Sequence, residues 1–292
     1  ANVICMPNIA NTPSRAEDRP PRTARRPVPA LGALPRPVYA RAEQMRRRAR
    51  TVAHAHPWVQ FSYASAGVLQ VRTAQGLFIA PPQWAILIPP QVVHTVANAP
   101  HTEIRSLYID TPALEMAGTE CRVIGVSPLL REMIRRFADM PVQYDERGAH
   151  GRFVQVMLDQ IHAAPRADLQ LPWPADAGLQ GLCQQVVDHP DEPASMQDWA
   201  QRLGVSVRTL GRMFQRQTQL SFRQWYQRAR LMAALPLLQA GQSVTEVGLG
   251  CGYDSTSAFI AAFRRLFGAT PGQLLPATAP SSRPVSGTGS AC

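Results

Sequence analysis

SMQDWAQRLGVSVRTLGRMFQRQT, residues 195–218, carries two helical rhythms parted by a glycine. Met196, Trp199, Ala200 and Leu203 recur at i, i+3, i+4 and i+7, which puts them on one face of a helix, and Ser195 stands where its N-cap belongs. Gly204 permits a tight turn, and Ser206 can cap a second helix in which Val207, Leu210 and Phe214 point inward. At about 100° per residue, Arg208, Thr209, Arg212 and Arg216 fall on the opposite face. An apolar helix, a turn and a second helix with guanidinium groups outside describe a helix-turn-helix. Arginine suits that place, because its planar fork meets either guanine O6 and N7 or a phosphate.

The arrangement recurs in SVTEVGLGCGYDSTSAFIAAFRRLF, residues 243–267. Val244, Val247, Gly248 and Cys251 form a short stripe, Gly250 and Gly252 supply the turn, and Ser255 or Asp254 can cap the next helix. In that helix Phe259, Ala262, Phe263 and Leu266 face inward, while Ser257, Ile260, Ala261, Arg264 and Arg265 lie outward or on the flanks. Between the units, Phe222, Trp225, Tyr226 and Ala229 begin a longer connecting helix that carries Arg223, Arg228 and Arg230. Pro236 should kink that helix or mark its end. Two recognition helices on one rigid spacer can enter successive major-groove segments about 34 Å apart on one face of a duplex.

Charge agrees with that reading. The 292 residues have a net charge of +10, and every basic side chain is Arg. Residues 195–275 hold nine Arg against three acids, whereas residues 51–194 hold nine Arg against fourteen. A basic segment of that length is an electrostatic footprint for nucleic acid. Residues 1–40, with eight prolines, read as a disordered Pro/Arg-rich arm, and residues 276–292 as a flexible tail. The five scattered cysteines show no metal-ligand spacing and no disulfide framework. The absence of a signal peptide and of any long apolar run points to a cytoplasmic protein without a membrane partner.

The middle of the chain changes rhythm. Val68–Arg72, Trp84–Ile88 and Ile104–Ile109 read as short strands separated by Gly and Pro. Pro128–Met140 and Arg152–Ala163 then take helical spacing, with Leu130, Ile134 and Phe137 on one face, and Phe153, Val156, Met157 and Ile161 on another. Leu171–Asp176 reads as a linker. Within the strands His54 and His56 are two apart, so an extended backbone turns both to one side. Gln60 and Gly67 follow, then Pro89, His94 and Asn98. This pattern resembles the two motifs of the cupin fold, with Gln60 where cupins usually have Glu and Gln91 where they usually have Gly. The resemblance makes His54, His56, Gln60 and His94 candidate ligands of a divalent metal, a donor set suited to Zn, Fe, Ni or Mn. The other reading is a pocket for a small organic effector, lined by Gln60, Tyr63, Trp84 and Tyr108.

Residues from about Ser195 to Pro271 resemble the DNA-binding domain of the AraC/XylS transcription regulators. The carrying residues are Arg230-Leu231, Ala234, Leu237-Leu238 and the run Ser243–Gly248. They continue through Gly252-Tyr253, Ser255, Ser257-Ala258-Phe259, Phe263-Arg264, Phe267-Gly268 and Thr270-Pro271. The resemblance implies that Val207–Thr218 is the first recognition helix, with Arg208 and Arg212 at base-contacting positions and Thr209 and Arg216 beside them. Gly211 stands where the family more often has a longer polar side chain, so one base contact is missing. In the second, Thr256, Ser257, Ile260 and Ala261 match groove-facing positions, and Arg264 and Arg265 hold phosphate.

The implied fold is α+β: a cupin-like β-barrel over residues 41–125, a helical linker pair that mediates dimerisation over 126–175, and an all-α double helix-turn-helix domain over 176–275. The implied function is sequence-specific transcription regulation under a small ligand or metal, without catalysis. Duplex DNA, RNA polymerase, the effector and a second copy of the chain are the expected partners. Two other readings are a metal-dependent cupin enzyme with an accessory DNA-binding domain and a nonspecific architectural DNA binder.

Overall fold

The computed structural model describes residues 24–26, 31–45, 48–99, 101–114, 118–190 and 192–275. Most of the expected arm (1–23 and 27–30) and the whole expected tail (276–292) lie outside the described residues. Among the described residues there are twelve strands, ten of them ahead of the first α-helix: β1 (Ala24–Arg26), β2 (Val38–Met45), β3 (Ala49–Thr51), β4 (Val59–Ala66), β5 (Leu69–Thr73) and β6 (Gly76–Ala80). They continue as β7 (Trp84–Ile88), β8 (His94–Asn98), β9 (Thr102–Ile109), β10 (Arg122–Gly125), β11 (Arg166–Ala167) and β12 (Gln170–Pro172). Before β11 come the paired helices α1 (Pro128–Ala138) and α2 (Ala149–His162). After β12 the chain is helical: α3 (Ala177–Asp188), α4 (Met196–Arg202), α5 (Val207–Thr218), α6 (Phe222–Gln239), α7 (Val244–Gly250), α8 (Thr256–Phe267) and α9 (Pro271–Leu274).

The strands form two six-stranded sheets, ordered β1-β3-β8-β5-β6-β12 and β11-β10-β7-β4-β9-β2. They do not close on one another, so the expected barrel is an open two-sheet sandwich. Strand β4 shows why the layers stack as they do. Val59, Phe61 and Tyr63 point to a cluster with Leu130, Ile134, Phe137, Met157 and Ile161, which places α1 and α2 on the outer face of the second sheet. The alternate residue Ala64 joins Val71, Phe78, Ile86, Ile88 and Val96 between the sheets. The outer face of the first sheet, with Leu77 and Ile79, is covered by the C-terminal helices, and one continuous core reaches from there to Trp225 and Phe263.

Several local expectations shift. Strand β2 begins at Val38, inside the stretch read as an arm, because its eight residues pair with β9. Strand β12 takes in Leu171 and Pro172 of the expected linker by pairing with β6. Helix α2 is turned slightly from the expected face: Val154, Met157, Leu158 and Ile161 are buried, whereas Val156 is 48% exposed. Pro236 lies within α6, three residues before its end.

The seam between sheet and helices is dense. Trp225 is fully buried and donates its indole N–H to Pro172 O at 2.7 Å. Its ring lies 6.2 Å from Trp173 and 5.7 Å from Phe214. Arg228 grips Asp168 with two nitrogens at 2.8 and 2.7 Å and also reaches Gln170 O at 2.9 Å. Cys121, Cys183 and Cys251 are buried thiols; burial pushes Cys121 up to about 12 and raises the other two. No helix among the described residues is long and apolar enough to cross a membrane.

Truncation of the buried indole in Trp225→Ala should cost about 3–5 kcal/mol in urea unfolding. Asp168→Ala, which removes a carboxylate 74% exposed, should cost no more than about 1 kcal/mol. In the native protein Cys121, Cys183 and Cys251 should react with a disulfide reagent far more slowly than after unfolding, because little thiolate is present and access is blocked.

Candidate functional site

The first helix-turn-helix is α4 and α5. Ser195 Oγ accepts the N–H groups of Gln197 and Asp198, and Ser206 Oγ accepts that of Thr209 at 3.1 Å. Gly204 takes φ +66° between the helices, a conformation that suits glycine. Leu210 and Phe214 are fully buried, whereas Val207, expected inward, is 42% exposed because it occupies the first position after the cap. Arg208, Thr209, Arg212 and Arg216 are all exposed on the other side. Thr209 Oγ1 lies 2.9 Å from Ser206 Oγ, so its hydroxyl also serves the cap. Among the described residues none of these three arginines pairs with a carboxylate.

The second unit, α7 and α8, repeats the construction. Ser243 and Glu246 form a reciprocal capping box, and Ser255 caps α8 through Ala258 N. Gly252 takes φ +69°, and a Cβ there would lie 2.3 Å from Arg230 Nη1. Arg230 in turn lies over the Tyr226 ring at 5.1 Å. Ser257, Ile260, Ala261, Arg264 and Arg265 line one shallow concavity with Thr270. Thr256 is half-buried and donates to Thr245 Oγ1 at 3.2 Å, which ties it to α7. Both units pack on α6, whose Arg228 and Arg230 are thus engaged within the protein, while Arg223 is exposed.

In the sandwich, the backbones of His54 and His94 are joined by two hydrogen bonds of 3.1 and 2.9 Å, which set their rings 4.2 Å apart. His56 completes a cluster whose ligating nitrogens lie within 4.8 Å of one another. Each Nδ1 faces a backbone carbonyl: Val52 O at 2.9 Å for His54, Trp58 O at 2.9 Å for His56, and Val92 O at 2.8 Å for His94. A carbonyl only accepts, so each Nδ1 donates its proton there, which leaves Nε2 as the atom that can face a metal. His94 Nε2 is buried without a hydrogen-bond partner. His56 Nε2 stands 2.8 Å from Gln60 Oε1, and the Gln60 amide nitrogen donates to Ser62 Oγ at 2.7 Å. With the Gln60 amide turned over, its nitrogen donates to His56 Nε2 and its oxygen accepts from Ser62 Oγ, so this pair is satisfied without an ion. Burial holds the His56 pKa below its usual value and brings that of His94 to about 4. Three imidazoles and an amide oxygen are a donor set that fits a borderline divalent ion.

The expected effector residues divide. Gln60 and Tyr108 are cross-strand partners on the inner face, and the Tyr108 ring lies 6.0 Å from that of His56. Tyr63 points the other way, into the core beneath α1 and α2. Trp84 sits at the opposite end of β7, with its ring edge 3.5 Å from where a Gly125 Cβ would be. The pleat explains Tyr63: both faces of β4 are buried, so hydrophobicity alone does not distinguish them. Trp58, stacked on His56 at 5.3 Å, and Ser62, two residues after Gln60, join the site unannounced; the two-residue spacing was the available signal for Ser62.

Comparison with known proteins accords with this geometry. Residues 36–164 match the family described as AraC-like ligand binding domain, and residues 199–276 match a helix-turn-helix domain family. The chain is 32% identical over 222 residues to the HTH-type transcriptional regulator NimR of Escherichia coli (strain K12), covering 76% of this chain and 81% of NimR. It is 37% identical over 100 residues to the regulator RipA of Corynebacterium glutamicum, covering 34% of this chain and 30% of RipA. Among solved structures it is similar to ToxT from Vibrio cholerae O395, with a TM-score of 0.35 and 11% identity over 83% of this chain and 99% of that one. On the strength of its likeness to NimR across most of both chains, this protein belongs to the AraC family of transcription regulators, with a ligand-binding domain ahead of a DNA-binding helix-turn-helix domain.

Proposed function

We propose that the chain reads specific DNA sequences by laying α5 and α8 into successive major-groove segments on one face of a duplex. The observation that carries this reading is that both exposed helix faces, with Arg208, Arg212 and Arg216 on one and Arg264 and Arg265 on the other, are mounted on α6. Eighteen residues of α6 extend about 27 Å, a length compatible with neighbouring groove segments. Arg208 and Arg212 supply most of the base discrimination. Ser257, Ile260 and Ala261 meet bases by close apolar and hydroxyl contact, with Thr256 at the edge of that surface, while Arg264 and Arg265 hold the backbone.

In this reading the protein is a cytoplasmic regulator and not an enzyme. It works as a homodimer through the helical pair, whose outward Leu129 and Val156 are 57% and 48% exposed, and it contacts RNA polymerase. Its sensor holds a divalent metal on His54, His56, Gln60 and His94, beside which Gln60 and Tyr108 face the same interior. The partnerless His94 Nε2 favours that assignment. A bound ion would cross-link the segments bearing His54, His56 and His94. An effector or ion alters DNA occupancy only through unequal affinity for two arrangements of the chain.

Footprinting on DNA upstream of its own and neighbouring genes should show two protected segments one helical turn apart for each protomer; uniform protection of all duplexes would overturn the reading. Arg212→Ala should weaken binding to that site by about 1–3 kcal/mol and relax preference at one base position. Arg264→Ala should leave base preference intact and reduce the salt dependence of binding by roughly one ion. For the metal, the stripped protein should take up one equivalent of Co(II) and acquire visible d–d absorption that His56→Ala and His94→Ala each abolish. A colourless protein without bound cobalt would rule the ion out.

A further inference from the structure

Strand β2 ends the second sheet: β9 lies along one side of it, and among the described residues no strand lies along the other. Two hydrogen bonds fix which backbone groups face that open side. Asp110 N donates to Pro37 O at 2.8 Å on the β9 side, whereas Val38 N turns away from β9 and donates to Tyr144 Oη at 3.2 Å. Alternation along an antiparallel strand then turns the N–H and C=O of Ala40, Ala42 and Gln44 outward, while those of Tyr39, Arg41, Glu43 and Met45 serve β9. Tyr144 covers the start of the edge. Beyond it the outward groups of Ala40 and Ala42 meet no hydrogen-bond partner among the described residues.

An edge of this kind is a template for another strand unless its own sequence blocks pairing. VYARAEQM is eight residues long, holds no proline and runs against β9 without a bulge. Its two charges, Arg41 and Glu43, share one face and form an ion pair along the strand. Set antiparallel to a copy of itself about a two-fold axis at Ala42, the strand places Ala42 opposite Ala42, Ala40 opposite Gln44 and Arg41 opposite Glu43. The outward residues then fall in the hydrogen-bonded pairs. Arg41 and Glu43 fall in the other pairs, where opposed side chains approach most closely. The four charges alternate in sign at the corners of a square, so each has an opposite neighbour both along and across the strands. Among the outward residues only Ala42 as the centre gives this match.

We propose that β2 is a self-association surface, pairing antiparallel with β2 of a second copy in the register centred on Ala42. The contact is isologous and closes as a two-fold dimer, joining the six-stranded sheets of two copies into one. It goes beyond the proposed function and uses none of the residues assigned there to the helical pair, to the histidine cluster or to DNA. Combined with a contact through the helical pair, it links dimers, so that more than two DNA-binding domains travel in one assembly.

Sedimentation equilibrium of the full chain without DNA reads the association. Arg41→Glu and Glu43→Arg each oppose like charges twice across the axis, and each should weaken one association step roughly tenfold or more. Mixing these two variants restores both ion pairs between unlike copies. A double variant with both substitutions restores them between like copies, and both samples should associate as the unsubstituted chain does. Ala42→Pro, at an exposed position whose N–H faces away from β9, should abolish the step without costing a bond within the sheet. Leu129→Glu with Val156→Glu, which charges the outer face of the helical pair, should leave it in place. Variants are checked for an intact fold by circular dichroism, and recovery on mixing itself requires folded chains. A chain that stays monomeric, association unchanged in the folded single variants, or no recovery in the mixture would overturn the proposal. Association lost only in the Leu129 and Val156 variant would assign self-contact to the helical pair alone.

Discussion

The indole of Trp225 holds the architecture together at its most demanding point. The first sheet buries apolar side chains on both faces, with Leu77 and Ile79 beside Gln70 and Arg72 on the outer one, and the second sheet can cover only the inner. The other must be covered by the C-terminal helices, so the two halves of the chain share a core instead of hanging on a loose tether. Trp225 lies at that seam, its N–H on Pro172 O and its ring against Trp173 and Phe214. Phe214 belongs to α5, so the sheet edge and the second helix of the first helix-turn-helix are one contact apart through a single side chain. Asp176 N, donating to Gln217 Oε1 at 2.9 Å, ties the connecting segment to the same helix a turn away.

Around that seam, local chemistry settles each helix end. Serines cap α4, α5, α6, α7 and α8, and reciprocal partners at Gln224 and Glu246 reinforce two of them. Each cap satisfies N–H groups that a helix start leaves open, which lets short helices such as α4 and α7 hold a defined angle to their partners. The exposed arginines of α5 and α8 can therefore go without ion pairs while the helices that bear them stay capped.

The features legible in the sequence are those governed by neighbours within a few residues. Ser195, Ser206 and Ser255 are caps as the pattern requires, α5 spans Val207–Thr218, and β7 spans Trp84–Ile88. His54, His56 and Gln60 meet His94 although both histidines at 54 and 56 lie between β3 and β4 and not on a strand, because the isolated His54–His94 bridge holds that segment against β8. Features set by distant pairing were hidden. Whether the sheets close depends on edge strands, and β12 is a strand only because β6 lies alongside it. Tyr63 misleads because β4 is buried on both faces, and Val156 because a helix of mixed polarity offers two adjacent stripes.

Proline within α6 lies in the stretch of chain that joins the two helix-turn-helix units. Residue 236 has no N–H to return to the carbonyl of Met232, so one rung of the ladder is missing near the end of the rod. Beyond it the chain closes through Ala240 N on Pro236 O and leaves through Gly241 at φ +87°. Bending therefore costs least between the two units, on the far side of the stretch clamped by Trp225. The α5 unit precedes that stretch in the chain and the α7–α8 unit follows it, yet both pack on α6, the second through Gln227 on Tyr253 and Cys251 on Arg230 O.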